Sequence, residues 1–210
     1  MNIRYDLSEL SIFSGKNYIE FKEKTNKESS VMMSSYRKDL QNSLEKLWNE
    51  EITLSAFYLL MYALVEESYS LAWYYGMSLA GISEFDMIDD ERLALIQTIR
   101  EEQGHIEKLG NDIIKAMSEG KDISIFKGRL NMWANSLLEA QNKALMYAHS
   151  NPKLMWVEGD TIKKCKDCLS QNGKVRRAKE WMKLNIHPQS SNLECKGINC
   201  ECSFVPVSGL

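Results

Sequence analysis

The chain has 210 residues, a net charge of −3 and five cysteines, and 44% of its residues are hydrophobic. This composition excludes a disordered or fibrous protein, and three prolines with eleven glycines are too few for a sandwich or barrel. No apolar stretch reaches the ~18 residues of a membrane span, and residues 1–10 carry charges where a signal peptide is apolar. We therefore expect a protein made in a reducing cytoplasm, with no membrane partner.

The first part of the chain is polar at its N-terminal end and helical after it. We interpret residues 1–35 as an arm or a weak helix, because residues 22–30 are mixed and polar. From Tyr36 to Met77, apolar residues recur at spacings of three and four with no proline, which predicts one long helix or two stacked ones. Gly81 is well placed to end this region with a positive φ.

Two further helices follow with the same periodicity. One begins near Asp86 or Asp89, either of which can cap a helix, and continues to Met117. The other extends from Phe126 to Ala148 and ends before Pro152. Short connections favour antiparallel packing, so the sequence predicts a mainly α fold with an antiparallel bundle over residues 36–152.

The body offers one weak candidate for catalysis. Glu102 and His105 have the Glu-x-x-His spacing of di-iron bundles, and Glu66 and Glu67 precede them on the previous helix. The second Glu-x-x-His pair that such a site needs is missing, so we interpret the pair as a helix-surface feature. A di-iron enzyme of the ferritin-like kind ranks third among the functions, and we expect no enzyme and no small-molecule substrate.

The C-terminal region, residues 153–210, holds all the cysteines. Two of them form a Cys-x-x-Cys pair, and the other three follow about 30 residues later, in the order Cys165, Cys168, Cys195, Cys200, Cys202. The first spacing lets two thiolates bind one metal ion, and a later cysteine group completes a tetrahedron, for which Zn²⁺ is the ion of choice. A glycine turn at Gly173 fits behind the first pair. The sequence thus predicts a small zinc-stabilised module of short β-hairpins and turns, in which zinc is structural.

Five cysteines for four positions leave the ligand set open. On an extended strand the Cα atoms of Cys200 and Cys202 would be about 6.6 Å apart, which suits one as a ligand and the other behind it. His187 is a further candidate ligand.

The same region carries a local positive charge. Residues 161–190 contain eight basic and two acidic residues, although the whole chain is negative. A basic zinc module could bind phosphates, which makes a zinc-containing nucleic-acid-binding protein the second candidate function. The candidate phosphate-facing residues are Lys163, Lys164, Lys166, Lys174, Arg176 and Arg177.

Several motifs of this region follow one another in a familiar order. They are Trp156–Thr161, Cys165-x-x-Cys168, Gly173–Val175, Ala178–Trp181 and Leu193–Cys202. Over residues 153–206 this series resembles the C-terminal module of tailed-bacteriophage minor head proteins, the phage Mu F-like head morphogenesis group. In that family a His-Pro segment leads directly into the final Cys-x-Cys. Here His187 lies well before it and Cys195 takes that neighbourhood, which favours Cys195 over His187 as the ligand.

The resemblance implies a function without catalysis. It implies a virion component, present in the head in few copies and made in the host cytoplasm. It further implies association with the portal and other head proteins during capsid assembly and DNA packaging. The basic residues of the tail could then meet packaged DNA.

Overall fold

The computed structural model describes residues 17–159, 161, 164–198 and 200–207. Its body consists of five helices, which are α1 (Asn17–Trp48), α2 (Leu54–Leu79), α3 (Asp89–Gln103), α4 (Ile106–Ser118) and α5 (Lys127–Tyr147). A small module follows, with β1 (Lys153–Val157), α6 (Lys166–Gln171), β2 (Val175–Arg177), α7 (Ala178–Leu184) and β3 (Ser203–Pro206). The predicted mainly helical fold with a small Cys-rich module is confirmed. No helix among the described residues has the length and apolar character to cross a membrane.

The predicted region from Tyr36 to Met77 is two helices rather than one. The chain turns after Trp48, and Thr53 caps α2 because its Oγ1 accepts a hydrogen bond from the Ala56 N–H at 3.2 Å. Helix α1 begins at Asn17 and is continuous across residue 35, so the part of the predicted arm from residue 17 onward belongs to the bundle helix. Residues 1–16 lie outside the described part of the chain.

The single helix predicted from Asp86 or Asp89 to Met117 is wrong, because the chain bends at Gly104 and His105 into α3 and α4. Glycine has a low helix propensity, and a break here lets Ile106 and the following apolar residues of α4 face the core. The predicted cap of α3, Asp86 or Asp89, is not the residue that caps this helix. The Glu91 carboxylate accepts the Ile88 N–H at 2.8 Å and so caps α3. After α2, Gly81 has the expected positive φ of 77°.

Helices α2 and α5 form the centre of the body, and α1, α3 and α4 pack around them. The two helices pack tightly at Gly76, where a Cβ would lie 2.5 Å from the Gln141 carbonyl oxygen and 2.8 Å from the Ala144 Cβ. The core on either side is made of fully buried apolar side chains, among them Leu40, Phe57, Met61, Trp73, Ile106 and Leu137. The missing side chain at Gly76 is therefore what lets the two central helices touch.

The C-terminal module is built on a three-stranded antiparallel sheet in the order β2-β1-β3. Met155 of β1 pairs with Val175 of β2 on one side and with Val205 of β3 on the other. Three aromatic rings, those of Trp156, Trp181 and Phe204, fill its core with centroids 5.3–5.6 Å apart. Such rings supply much buried area in a small module.

The core of the module is shared with the body. Leu145 and Met146 from the last turns of α5 lie in the same cluster as the three aromatic rings. A hydrogen bond also fixes the segment that connects α5 to the module, because the buried Glu91 carboxylate on α3 accepts the backbone N–H of His149 at 2.7 Å. The central part of α5 therefore packs in the core of the body, and its last turn packs in the core of the module.

Substituting Gly76 tests the close packing of α2 on α5. Gly76→Ala is expected to lower the free energy of unfolding by about 1–3 kcal/mol, because the new methyl group must displace backbone. Gly128→Ala is the matched control, since a Cβ at Gly128 meets nothing within 4 Å. That control should be neutral or stabilising by up to about 1 kcal/mol. Urea unfolding followed by circular dichroism measures both, and equal stabilities for the two variants would contradict the packing.

Candidate metal centre

The first cysteine pair lies at the start of α6. Cys165 precedes the helix, and its Sγ accepts the backbone N–H of Cys168 at 3.3 Å. This places both side chains on the same side of the turn. The helix ends in a turn in which Gly173 has a positive φ of 75°, as its sequence context predicted. The local geometry is that of a Cys-x-x-Cys turn whose backbone amides point at sulfur.

The other cysteines reach the pair on a second segment of chain. Two reciprocal bonds join the segments, one from the Lys166 N–H to the Glu194 carboxylate at 2.8 Å and one from the Glu194 N–H to the Asp167 carboxylate at 2.7 Å. Gly159 allows the loop after β1 to approach the turn between Cys200 and Cys202, since a Cβ there would lie 2.5 Å from the backbone of Glu201.

All five sulfurs belong to two trios that share Cys168. In one trio Cys168 joins Cys165 and Cys195, and in the other it joins Cys200 and Cys202, with the sulfurs of each trio within 4.8 Å of one another. The Sγ atoms of Cys168 and Cys200 are 3.8 Å apart. Tetrahedral zinc with Zn–S bonds of about 2.3 Å separates its sulfurs by about 3.8 Å. These cysteines are therefore spaced to hold a metal ion.

Cys200 and Cys202 do not show the expected arrangement, in which one thiol is a metal ligand and the other lies behind it. Cys200 and Cys202 precede β3 instead of lying on it, so the spacing of an extended strand does not apply. Both are buried, with exposed fractions of 6% and 5%, and both sulfurs face Cys168.

The crowded thiols do not titrate like isolated cysteines. Hydrogen bonds donated by the thiols of Cys168 and Cys200 lower the pKa of Cys202 to about 3. The pKa of Cys168 is raised, because its proton is held between the sulfurs of Cys200 and Cys202 and its side chain is buried. The cluster thus combines an anionic sulfur with retained protons, an arrangement in which a bound cation would replace the protons.

His187, the further candidate ligand, is not in either sulfur trio. Its Nδ1 lies 2.9 Å from the Pro188 carbonyl oxygen and its Nε2 lies 3.9 Å from the Glu139 carboxylate on α5. Burial lowers the pKa of His187 from its ordinary value. The residue therefore contacts the body rather than the cysteines.

Two residues that the sequence did not single out connect the cysteines to the body. The Asn142 side chain on α5 accepts the Phe204 N–H at 2.8 Å and donates to the Gln189 side chain at 3.3 Å. Gln189 in turn donates to the Cys200 carbonyl oxygen at 2.8 Å. Both side chains are buried. An isolated Asn and Gln give no periodic signal, so only the fold reveals this link.

The predicted basic residues do not form one free surface. Lys164 pairs with Glu158 at 2.8 Å, Arg176 lies 4.3 Å from the Trp181 ring centroid, and Arg177 donates to the Asn151 carbonyl oxygen. The backbone amide of Lys166 bonds Glu194, and Lys174 is exposed. Lys163 lies outside the described residues. Half of the six are thus engaged within the module.

The Glu-x-x-His pair of the body lies apart from the two glutamates on α2. Glu66 and Glu67 are exposed, whereas Glu102 is partly buried beside Tyr69 and Glu139. Within the described chain, the two cysteine trios are the only groups of three or more His, Cys, Asp or Glu side chains close enough to share a metal ion. The four residues of the di-iron hypothesis are therefore not brought together.

Removing Cys168 should affect metal binding more than removing any other cysteine, because it belongs to both trios. Titration of the purified chain with Co²⁺, followed by thiolate-to-cobalt absorption, measures this. Cys168→Ser is expected to weaken binding at least tenfold more than Cys195→Ser or Cys202→Ser, and Ser170→Ala on the exposed side of α6 is the control. Equal effects of all the cysteine variants would contradict a central position for Cys168.

The buried carboxyl of Glu102 should make stability depend on pH. Burial raises its pKa above the ordinary value of 4.5, so the folded state favours the protonated form and loses stability as pH rises from 4.5 through the raised pKa. Glu102→Gln removes this loss, so its stability relative to the native chain should increase from pH 5 to pH 8. Urea unfolding at each pH measures it, with the exposed Glu107→Gln as control. A constant difference across this range would contradict the assignment.

Comparison with known proteins yields no relative from which a function could be transferred. No family model, no curated protein and no solved structure matches the chain. The cysteine geometry and the packing of the module on α5 are therefore the basis for a functional hypothesis.

Proposed function

We propose that this chain is a non-enzymatic assembly component of a phage head, a minor head protein that binds the portal while the capsid is built and filled. Its C-terminal module is folded by one structural zinc ion. The support consists of the motif series of residues 153–206, the closed cysteine cluster and an exposed apolar helix face. The residues that hold zinc are Cys168 and Cys165 with two of Cys195, Cys200 and Cys202.

The observation that carries a structural role is the burial of the cysteines. Cys168, Cys200 and Cys202 are 3–6% exposed and Cys165 is partly buried, so a metal ion held by four of these sulfurs would be enclosed mainly by protein. Four thiolates also complete the coordination of zinc and leave no position for water. Such a site contributes folding free energy to a module whose core is three aromatic rings and a few apolar neighbours.

An interaction role is supported by α2. A helix that is apolar all round is normally buried on every side. On α2 the inner face is buried, yet Leu59 is 71% exposed and Leu60 and Leu71 are 44% and 43% exposed. At about 100° per residue, Leu60 and Leu71 lie on nearly the same side of α2, Leu59 lies at the other edge of the exposed surface, and the exposed Glu66 and Glu67 are on this surface as well. An assembled head would cover this surface, with the portal ring as its partner.

Mixing the full chain with a purified portal ring from the same genome tests the function. The native chain is expected to co-sediment with the ring, and Leu59→Lys should weaken this binding at least tenfold, since it puts a charge into the apolar contact. Leu169→Lys is the matched control, because Leu169 is an exposed leucine (52%) on the C-terminal module rather than on the body. Absence of binding by the native chain would contradict the proposal.

A nucleic-acid-binding function gives a different result in a parallel measurement. If the basic module bound DNA as its main role, affinity for a 30-base-pair duplex would fall steeply with salt. On the assembly proposal, binding to the duplex is weak and portal binding does not depend on it. The finding that Arg176 and Arg177 are engaged within the module favours assembly.

A further inference from the structure

The five cysteine sulfurs are arranged as two groups of three rather than as one group of four. Cys168 belongs to both groups, with Cys165 and Cys195 in the outer group and with Cys200 and Cys202 in the inner group. The sulfurs of each group lie within 4.8 Å of one another, and no four of these five described cysteines do so. The structure therefore contains two complete three-sulfur sites that meet at one shared sulfur.

The number of sulfurs also exceeds what a single zinc ion uses. Tetrahedral zinc takes four thiolates, so it would draw its fourth sulfur from the second group and leave one cysteine unbound. A three-coordinate ion with metal–sulfur bonds of about 2.3 Å separates its sulfurs by about 4.0 Å. The 3.8 Å between the Sγ atoms of Cys168 and Cys200 suits both geometries. The grouping of the sulfurs distinguishes them, because two three-coordinate ions that share Cys168 use all five.

The surroundings of the inner group favour an ion that needs no fourth ligand. Its three cysteines are 3–6% exposed, and the fully buried Trp156 belongs to the same apolar cluster. Zinc held by three protein ligands takes a water molecule or another ligand as its fourth. Cu(I) is a soft ion that thiolates select, and three sulfurs can complete its coordination. The inner group is therefore better matched to Cu(I) than to three-coordinate zinc.

Hydrogen-bond donors are placed at the sulfurs that would bind one ion each. Five thiolates with two monovalent ions keep three negative charges, and N–H groups stabilise such charge. The four sulfurs other than the shared one each face a backbone N–H group. In the order Cys165, Cys195, Cys200 and Cys202, these amides belong to Cys168, Gly197, Cys202 and Gly159. The shared sulfur has its charge divided between two ions instead.

We propose that the cysteine cluster binds two Cu(I) ions in place of one zinc ion, one in each group of three, with the Cys168 sulfur as the bridge between them. Each ion displaces the remaining thiol protons of its group to solvent. Copper enters and stays as Cu(I), so no electron is transferred. The inference rests on the metal-binding cluster of the proposed function and adds a second ion and a second metal to it.

Anaerobic titration of the full chain with Cu(I), in the presence of the Cu(I) chelator bicinchoninate, tests the stoichiometry by native mass spectrometry. Two copper ions per chain are expected, and zinc should leave the zinc-loaded chain as they bind. X-ray absorption at the copper edge should show three sulfur neighbours per copper and a second copper nearby. Saturation at one copper ion, or copper with two sulfur neighbours and no second copper, would overturn the proposal. Zinc content and portal binding, measured before copper is added, test the proposed function separately.

Two single substitutions separate this arrangement from a simple count of thiols. Cys195→Ser and Cys168→Ser both leave four cysteines, but the first keeps the inner group whole and the second keeps neither group. Under the same chelator we expect one copper ion for Cys195→Ser, none for Cys168→Ser and two for the control Ser170→Ala. Circular dichroism verifies that the helical body of each variant is folded. Equal copper contents in the two cysteine variants would refute a shared bridging sulfur.

Discussion

The C-terminal module depends on the meeting of five sulfurs from two chain segments about 30 residues apart. Its sheet has three short strands and its core is three aromatic rings with a few apolar neighbours, some of them borrowed from α5. Such a module gains little from hydrophobic burial alone. On the proposed function, a metal ion bound between Cys168 and Cys200 would supply the binding free energy that offsets the entropic cost of closing this loop. The reciprocal bonds of Glu194 with the α6 turn then fix the two segments in register.

Helix α5 transmits this constraint to the body. Its central part packs on α2 at Gly76, and its last turns place Asn142 and Leu145 in the module. The path from Asn142 through Gln189 to the Cys200 carbonyl means that the cysteine cluster and the bundle share hydrogen-bond partners. A rigid junction of this kind suits a protein that presents one face of its body to a large partner.

Much of the architecture could be predicted from the sequence, because helical periodicity and cysteine spacing are local signals. The apolar repeat from Phe126 onward gave α5 nearly residue by residue, and the cysteines marked the module. What could not be predicted depended on tertiary packing. In the sequence, Gly104 is compatible with the interior of one long helix. The helix breaks there because Ile106 at the start of α4 is buried in the core. The sharing of Cys168 by two trios and the role of Asn142 arise only when distant segments meet.

Hydrogen exchange of the zinc-loaded full chain, before and after metal removal by a chelator, tests the central claim most directly. The account predicts one zinc ion per chain by elemental analysis. It further predicts that removal of zinc abolishes amide protection in β1 and β3, at residues such as Trp156 and Phe204, while α2 and the central part of α5 stay protected. Protection of the module that is unchanged when zinc is removed would contradict a module folded by its metal ion.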